Sequence, residues 1–355
     1  MRRDYALRIL LIVVGLLGVF GSTAGAQNYC PAANPNDSVP DTSALQACLD
    51  GGGLILLSAG TPGYILDDRL ALRVSGTRVG AVDENNRPRL VAHANLNNMM
   101  LRADADNYDL SHLIFDGNRA NRTNACTYPL GHNIIAYGTG FSIRFVDSIN
   151  ARCGSALEIN GADFEVYNNV IAYNGFSADE RNAEWADGIT VHRCNGGVVR
   201  NNQIAENTDI GIVVNEGIGC SVRWNAIWNY DRYAFAGFHI SAGGSGGNHA
   251  GSVFADNEVI SGYDRMSFGI IAGAYPWHYV RTANIGTVEA NDVEGAVIGL
   301  SVDSVDAGTV VGNDLSGAQG TRGYGPCNGQ SPANYIAWSW GGASLQPGFV
   351  TRHCH

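Results

Sequence analysis

The chain has 355 residues, of which 46 are glycine, and a formal net charge of -11. All 22 of its Lys/Arg positions hold arginine, which excludes a lysine base, a lysine Schiff base and a lysine phosphate ligand. The negative charge argues against nucleic acid or an acidic membrane surface as a partner. Many short Val/Ile pairs between glycine-rich turns favour an all-β chain.

The first 26 residues have the composition of a secretory signal peptide. Arg2 and Arg3 form a basic start, an apolar run covers residues 9–20, and an Ala-Gly-Ala sequence then ends at Ala26. The run is shorter than the roughly 20 residues that a transmembrane helix needs. We therefore predict a signal peptide over residues 1–26, a secreted or periplasmic mature protein, and no membrane contact after cleavage. The alternative is a retained membrane anchor.

Residues 41–50 are predicted to form a short amphipathic helix. Asp41 is suited to the N-cap, and Leu45, Cys48 and Leu49 follow at helical spacing. A helix here would cover the open end of a stack of strands, whose edges could otherwise pair with another chain. We therefore predict a capping segment over about residues 27–60.

The start of the mature chain also has a characteristic order of elements. The predicted helix is followed by an apolar strand, by a glycine-containing turn that leads to Tyr64, and later by the stretch HLIFDGNRANR from His112 to Arg122. In this order the chain resembles the pectate-lyase-like right-handed parallel β-helix superfamily. The resemblance implies an all-β, right-handed parallel β-helix, a solenoid in which successive coils stack.

The eight cysteines are predicted to form disulfides, because the chain is exported and has no C-x-x-C pair of the kind that binds zinc. Proximity in sequence suggests four pairs, of which the third would join adjacent coils. The pairs are Cys30–Cys48, Cys126–Cys153, Cys194–Cys220 and Cys327–Cys354.

A short phrase, asparagine then any residue then an aliphatic one, recurs six times with spacings of 33, 23, 32, 34 and 22 residues. These spacings indicate a unit of 22 or 23 residues with three insertions of about ten. Such a short unit buries its apolar face only against its neighbours. We therefore predict one solenoid domain over residues 27–355, with coils over about 61–320 and a C-terminal cap over about 321–355.

The repeated asparagines are predicted to be structural. Asparagine tolerates the left-handed αL conformation of a tight turn, and stacked amides can bond along the axis of a solenoid. The residues are Asn169, Asn202, Asn225, Asn257, Asn291 and Asn313.

Aligning the units gives a first strand in each coil, such as ALEIN at 156–160 and GITVH at 188–192. Alternation with a period of two divides these strands into inward and outward positions. Predicted to point inward are Leu157, Ile159, Ile189, Val191, Ile212, Val214, Phe238 and Ile240. Predicted to stack outward are one column of Glu158, Thr190, Val213 and His239, and a second of Asn160, His192, Asn215 and Ser241.

The three insertions flank these first strands. They cover Gly175 to Asp187, about residues 242–251, and residues 274–283. Loops on one face of a repeat protein are typical of a binding groove. They carry Trp185, Trp277 and Tyr279, whose rings could stack on sugars or could pack their own loops down.

Asp187 and Asp209 are the main catalytic candidates. They are 22 residues apart, which is one coil, so their carboxyl groups are expected to be neighbours at the mouth of the groove. Crowded carboxylates raise one another's pKa, as an acid and base acting across a glycosidic bond require. Glu158, Glu184 and Glu216 could join them. The alternative is that both aspartates bond backbone amides in turns.

The stretch ADGITVHRCNGGVVRNNQIAENTDIGIVV resembles the polygalacturonase-type glycoside hydrolases. Asp187 falls on the first aspartate of that family's catalytic group, and Asp209 falls on one of the following pair. Three features depart from the pattern: Ile210 stands where the second aspartate of the pair is expected, the next coil has AGFHIS in place of Gly-His-Gly, and no arginine-x-lysine motif exists. The resemblance implies a carbohydrate-active β-helix but, given these departures, does not support a galacturonan substrate.

Two other functions remain open at this point. His192 or His239 with Arg193 could abstract the C5 proton of a uronic acid and pair with its carboxylate, as a polysaccharide lyase or C5-epimerase would. A non-catalytic glycan-binding or adhesin-type solenoid would use the groove only to bind. The predicted substrate-binding residues are Glu158, Arg193, Asn215, Glu216, Trp185, Trp277 and Tyr279.

The sequence indicates no cofactor. Ca²⁺ could bind the acids at Asp179, Glu180 and Glu184, but neither a glycine-rich nonapeptide nor an EF-hand loop is present. No metal site is therefore predicted.

Overall fold

The computed structural model describes residues 27–123, 126, 131–177, 179–180, 184–241, 247–273, 284–319, 335–339, 343–346 and 350–351. The predicted signal peptide, the fourth cysteine pair, Trp277 and Tyr279 lie outside the described residues. So do residues 242–246, which are half of the second predicted insertion, and all of residues 274–283.

Three parallel sheets make up the strand structure of the described residues. Each coil passes through sheet 1, then sheet 2, then sheet 3. Sheet 1 consists of Leu70–Leu72, Leu101–Asp104, Ile134–Thr139, Gly154–Ala162, Ala186–Asn195, Ile210–Val214, Ala234–Ser241, Met266–Gly273, Ile298–Val305, Tyr335–Ser339 and Val350–Thr351.

Sheets 2 and 3 complete each coil. Sheet 2 consists of Gln27–Tyr29, Leu54–Leu57, Arg78–Ala81, Asp109–Ser111, Ser142–Arg144, Glu165–Tyr167, Val198–Arg200, Ser221–Arg223, Val253–Ala255, Thr287–Glu289, Gly308–Val311 and Ala343–Ser344. Sheet 3 consists of Tyr64–Leu66, Arg89–Ala92, Ile114–Asp116, Asp147–Ile149, Val170–Ala172, Gln203–Ala205, Ala226–Asn229, Glu258–Ser261, Asp292–Glu294 and Asp314–Gly317. The predicted all-β parallel solenoid is confirmed. Its strands already begin inside the segment predicted as a cap, and they continue within the predicted C-terminal cap.

The core lies between the three sheets. All eight side chains predicted to point inward from the first strands are fully buried there. Parallel pairing places equivalent residues of successive coils above one another, so like side chains stack: the ring centroids of Tyr108 and Phe141 are 4.8 Å apart, and those of Phe141 and Phe164 are 5.2 Å apart.

A column of glycines lies in the first half of the sheet 1 strands of successive coils. A Cβ atom added at Gly211 would lie 2.5 Å from the carbonyl oxygen of Gly237 and 2.5 Å from a methyl carbon of Ile227. Because those contacts are below van der Waals separation, only glycine fits where the coils approach this closely.

The repeated asparagines form a buried ladder between sheets 2 and 3. The side-chain Nδ2 of Asn202 donates to Oδ1 of Asn225 at 2.9 Å, and Asn225 donates in the same way to Asn257 at 2.9 Å. The predicted axial bonding is therefore confirmed. The predicted αL conformation was wrong by one position: a positive φ belongs to the residue before the asparagine, such as Asn201 at 57° and Trp224 at 56°. The turn residue is exposed, whereas the asparagine after it is buried in the ladder.

The helix Thr42–Gly51 confirms the prediction for this segment, with Leu45 and Leu49 buried. Its Gln46 side chain donates to the carbonyl of Ala71 at 2.9 Å and accepts the Ala71 N–H at 2.8 Å. The helix therefore supplies hydrogen-bond partners to backbone groups of the edge strand of sheet 1. The Asp41 carboxylate does not cap the helix; it accepts the backbone N–H groups of Asn34 and Ile65 instead.

Three predicted disulfides are confirmed: Cys30–Cys48, Cys126–Cys153 and Cys194–Cys220. The third joins neighbouring coils, as expected, since Cys194 lies at the end of one sheet 1 strand and Cys220 precedes the sheet 2 strand of the next coil. Disulfides of this kind are typical of proteins that fold in an oxidising compartment. Among the helices in the described part of the chain, none has the length and apolar character to cross a bilayer.

Candidate active site

The structure brings Asp187 and Asp209 together at one end of sheet 1. Asp187 lies in the strand Ala186–Asn195, and Asp209 immediately precedes the strand Ile210–Val214 of the next coil. The Asp209 N–H donates to the Ala186 carbonyl at 3.1 Å, so the two aspartates are held on adjacent coils. Both are partly exposed.

Burial raises the pKa of both carboxyl groups. The pKa of Asp187 is well above its usual value because of burial first and the nearby Asp209 charge second. Burial raises the pKa of Asp209 to about 6. Two interacting carboxyl groups that are largely shielded from water therefore keep a proton at a pH where ordinary aspartates have lost theirs.

Hydrogen bonds from its own strand and from the next coil hold the Asp187 carboxyl group. The Thr190 hydroxyl donates to Oδ2 at 2.7 Å, and the Ile210 N–H donates to Oδ1 at 3.2 Å. The Ser155 hydroxyl lies 2.7 Å from the Thr190 hydroxyl. Asp187 thus bonds a backbone amide, as the structural alternative expected. That bond by itself would lower the pKa of Asp187, so it does not account for the raised pKa.

A second polar cluster surrounds the buried Glu158. Its Oε2 lies 3.2 Å from Nδ1 of His132, and its Oε1 lies 3.1 Å from Nε2 of His192. The Asn215 amide nitrogen lies 3.0 Å from Nδ1 of His192. If His192 donates from Nε2 to Glu158, Nδ1 accepts from Asn215, so both ring nitrogens are engaged within the protein.

A β-bulge explains the position of His192. Glu158 pairs with Thr190, as predicted, but the register then shifts and Asn160 pairs with Arg193 rather than with His192. The predicted second column is therefore wrong at this coil, and His192 contacts Glu158 instead. The exposed Arg193 pairs with the partly exposed Glu216 at 3.3 Å.

His239 occupies the predicted outward column, paired with Val213 and Ile271, but it is fully buried. Its Nε2 lies 3.3 Å from the Gly273 carbonyl oxygen. Val213 and Ile271 belong to an apolar cluster on the outer side of sheet 1. The expectation that His239 joins the acids in an open groove is therefore wrong, because apolar packing covers the column at this coil.

The acids of the first insertion are engaged with arginines. The ion pairs are Arg265–Asp179 at 3.3 Å, Arg232–Glu180 at 2.7 Å and Arg152–Glu184 at 2.9 Å. Glu184 therefore stabilises the loop and does not join Asp187 and Asp209. No cluster of three or more His, Cys, Asp or Glu side chains suited to a metal ion occurs in the part of the chain that the structure describes.

His132 and Ser155 are site residues that the sequence analysis missed. Both are buried, and the Ser155 N–H donates to Nδ1 of His132 at 3.1 Å. Burial lowers the pKa of His132 to about 4, so the ring is neutral at physiological pH. Extending the coil alignment backwards by one unit, with Ile134 opposite Leu157, would have drawn attention to both residues.

No family model and no curated protein sequence matches the chain. Solved structures do match its fold. A surface protein and adhesin, PfbA of Streptococcus pneumoniae, has a TM-score of 0.55 at 12% identity, over 92% of this chain and 97% of that one. The chain is a right-handed parallel β-helix.

Two further structures share this β-helix. The A-module of a mannuronan C-5 epimerase from Azotobacter vinelandii has a TM-score of 0.54 at 14% identity, over 92% of this chain and all of the module. The Dettilon tailspike protein has a TM-score of 0.54 at 13% identity, over 82% of this chain and 67% of the tailspike. At such identities the likeness establishes the fold, and function must be argued from the side chains of this β-helix.

Proposed function

We propose that the protein hydrolyses a glycosidic bond of a polysaccharide, with Asp187 as general acid and Asp209 as general base. The observation that carries the proposal is the pair of carboxyl groups with raised pKa values on adjacent coils at the partly exposed end of sheet 1. Carboxyl groups with raised pKa values in one site are typical of residues that exchange protons during catalysis.

The surroundings of Asp187 suit a proton donor. Asp187 gives its proton to the glycosidic oxygen as the bond to the anomeric carbon breaks, and Asp209 takes a proton from the water that attacks that carbon. The bonds from Thr190 and from the Ile210 N–H lower the pKa of Asp187, because they favour the ionised form. They therefore stabilise the carboxylate that remains after proton transfer.

Elimination or epimerisation has weaker support. Both ring nitrogens of His192 are engaged, by Glu158 and Asn215, and His239 is buried. Neither histidine is presented as a free base, and Arg193 is already paired with Glu216. A purely binding protein would gain nothing from two carboxyl groups whose burial costs stability once they ionise. The same fold occurs in an epimerase module and in an adhesin, so the fold does not distinguish these functions and the function depends on the side chains of the site.

We also infer that the protein acts outside the cytosol. Three disulfides and the predicted signal peptide support export. The exported protein would encounter its polysaccharide substrate outside the cytosol.

The proposal is tested by incubating the purified mature protein with a panel of neutral and acidic polysaccharides. Hydrolysis will release new reducing ends without the ultraviolet absorbance of a conjugated, unsaturated product. Reducing ends that appear together with that absorbance would establish elimination instead. Retained binding of a glycan without any product would favour an adhesin-type role.

The rate of hydrolysis should depend on pH with a limb near pH 6. Asp209 must be ionised to act as base, so kcat/KM should rise as pH increases through about 6, the value to which burial raises its pKa. At higher pH the rate should fall when the proton of Asp187 is lost. Initial rates between pH 4 and pH 10 measure both limbs; a rate that falls steadily from pH 4 upward would contradict the assignment.

A further inference from the structure

Exposed aromatic side chains are concentrated at one edge of the β-helix. Among the described residues, seven large aromatic side chains are exposed, and five of them lie in the turns that lead from sheet 3 to sheet 1. We call these five the aromatic edge: Tyr173, Trp185, Tyr230, Tyr233 and Tyr263, which are 52, 48, 53, 41 and 79% exposed. The other two, Phe145 and Trp224, lie in turns between sheets 2 and 3.

The aromatic edge flanks the acid pair on both sides. The turns from sheet 3 to sheet 1 on four consecutive coils are residues 173–185, 206–209, 230–233 and 262–265. The second of these turns carries Asp209, so Tyr173 and Trp185 lie on one side of it along the axis and the other three aromatic residues lie on the other side. Four coils span about 14 Å, which matches an oligosaccharide better than a single sugar.

Specific contacts hold this edge in place. A Tyr-Asp-Arg sequence occurs twice, at 230–232 and 263–265, and both of its arginines pair with acids of the first insertion. The Arg265 guanidinium lies 4.4 Å from the ring centroid of Tyr233. The buried Glu206 carboxylate accepts the Tyr230 N–H at 2.7 Å. Aromatic side chains held in place by such contacts lose little conformational entropy when they bind a ligand.

The charges at the edge disfavour an acidic ligand. Among the described residues of these turns the arginines are Arg232 and Arg265, and they are already paired with Glu180 and Asp179. Further carboxyl groups belong to the same turns, at positions 206, 209, 231 and 264. A uronic acid chain would meet this negative charge with no unpaired arginine from these described turns, whereas the aromatic faces are suited to the apolar faces of neutral sugars.

We infer that the aromatic edge binds a neutral polysaccharide, which runs along the axis of the β-helix across successive turns and passes over Asp187 and Asp209. This inference rests on the function proposed for the acid pair and specifies its substrate class. Tyr173 and Trp185 contact the glycan on one side of the scissile bond, and Tyr230 and Tyr233 contact it on the other.

Binding is measured with the Asp187→Asn protein, so that turnover does not interfere, by isothermal titration against neutral glycans and against uronic acid polymers. The Asp187→Asn protein should bind a neutral glycan. Adding Tyr230→Ala or Tyr233→Ala should weaken that binding about 3- to 10-fold each, because one stacking contact is lost. Tyr230→Phe, which keeps the ring, should retain most of the affinity.

Trp224→Ala is the matched control, since Trp224 is 54% exposed but lies on another edge of the β-helix. It should leave the affinity unchanged. The inference is overturned if only uronic acid polymers bind, if no glycan binds, or if Trp224→Ala weakens binding as much as the tyrosine variants do. Hydrolysis of a uronic acid polymer by the unaltered protein would overturn the neutral substrate class while leaving the proposed hydrolysis intact.

Discussion

Replacing Asp187 with asparagine should lower kcat for glycan hydrolysis by about 10²- to 10⁴-fold, the usual loss when a general acid or base is removed. Asparagine has nearly the same shape and can still accept the Ile210 N–H, but it has no proton of comparable acidity to give to the glycosidic oxygen. Asp209→Asn should cause a loss of similar size, because the attacking water then has no base. Reducing-end assays at saturating substrate measure both.

Asp104→Asn is the control for these substitutions. Asp104 is an exposed aspartate at the end of another sheet 1 strand, where it pairs with Arg102. Its replacement should leave kcat unchanged. If Asp187→Asn hydrolyses glycans at the unaltered rate, the carboxyl pair has only a structural role and the proposal fails.

The stability of an Asp209 variant should distinguish a catalytic role of this aspartate from a structural one. A carboxyl group whose pKa is raised on folding binds more protons in the folded state, so stability falls as pH rises from the ordinary aspartate pKa through the raised one. For Asp209 that range extends to about pH 6. Asp209→Asn should therefore be at least as resistant to urea at pH 8 as the unaltered protein. A marked loss of stability would instead indicate a structural aspartate.

Replacing Arg232 with methionine should lower the free energy of unfolding by about 3 kcal/mol, because it removes one side of a buried charge network. The guanidinium group is almost fully buried, with its Nη2 2.7 Å from Glu180 and its Nη1 3.2 Å from the Asn174 carbonyl oxygen. It also donates to the carbonyl groups of Gly175 and Glu206. Methionine fills similar space but satisfies none of these acceptors.

The consequence should extend to the active site. Arg232 joins the turn at 230–233 to the insertion that leads to Trp185 and Asp187, so its loss should also raise KM for the glycan. Urea unfolding and steady-state kinetics measure the two effects. Arg102→Met is the control, since Arg102 is a half-exposed partner of Asp104 and should contribute less than about 1 kcal/mol. Equal effects of the two substitutions would contradict a stabilising role for the Arg232 network.

Several features followed from local and periodic patterns. The asparagine spacing predicted stacked coils and axial amide bonds, and the ladder from Asn202 through Asn225 to Asn257 confirms them. Alternation along the first strands predicted the buried positions, and helical spacing predicted the helix that covers the sheet edge. These succeeded because equivalent positions of a repeat share an environment, and because nearby residues have few geometric choices.

The site depended on interactions that do not repeat. A bulge removed His192 from its expected column and brought it to Glu158, and apolar packing buried His239. The arginines that hold the first insertion come from distant coils, with Arg232 separated by 52 residues from Glu180.

The sequence by itself determined the coil length, the inward face, the asparagine ladder and the placing of Asp187 and Asp209 on adjacent coils. Only the tertiary structure decided which outward residues reach solvent, which groups engage the ring nitrogens of His192, and which turns contain the exposed aromatic side chains. The physical reason is that period and spacing describe a coil relative to its neighbours, whereas burial and charge pairing on the outer face depend on insertions and bulges that interrupt the period.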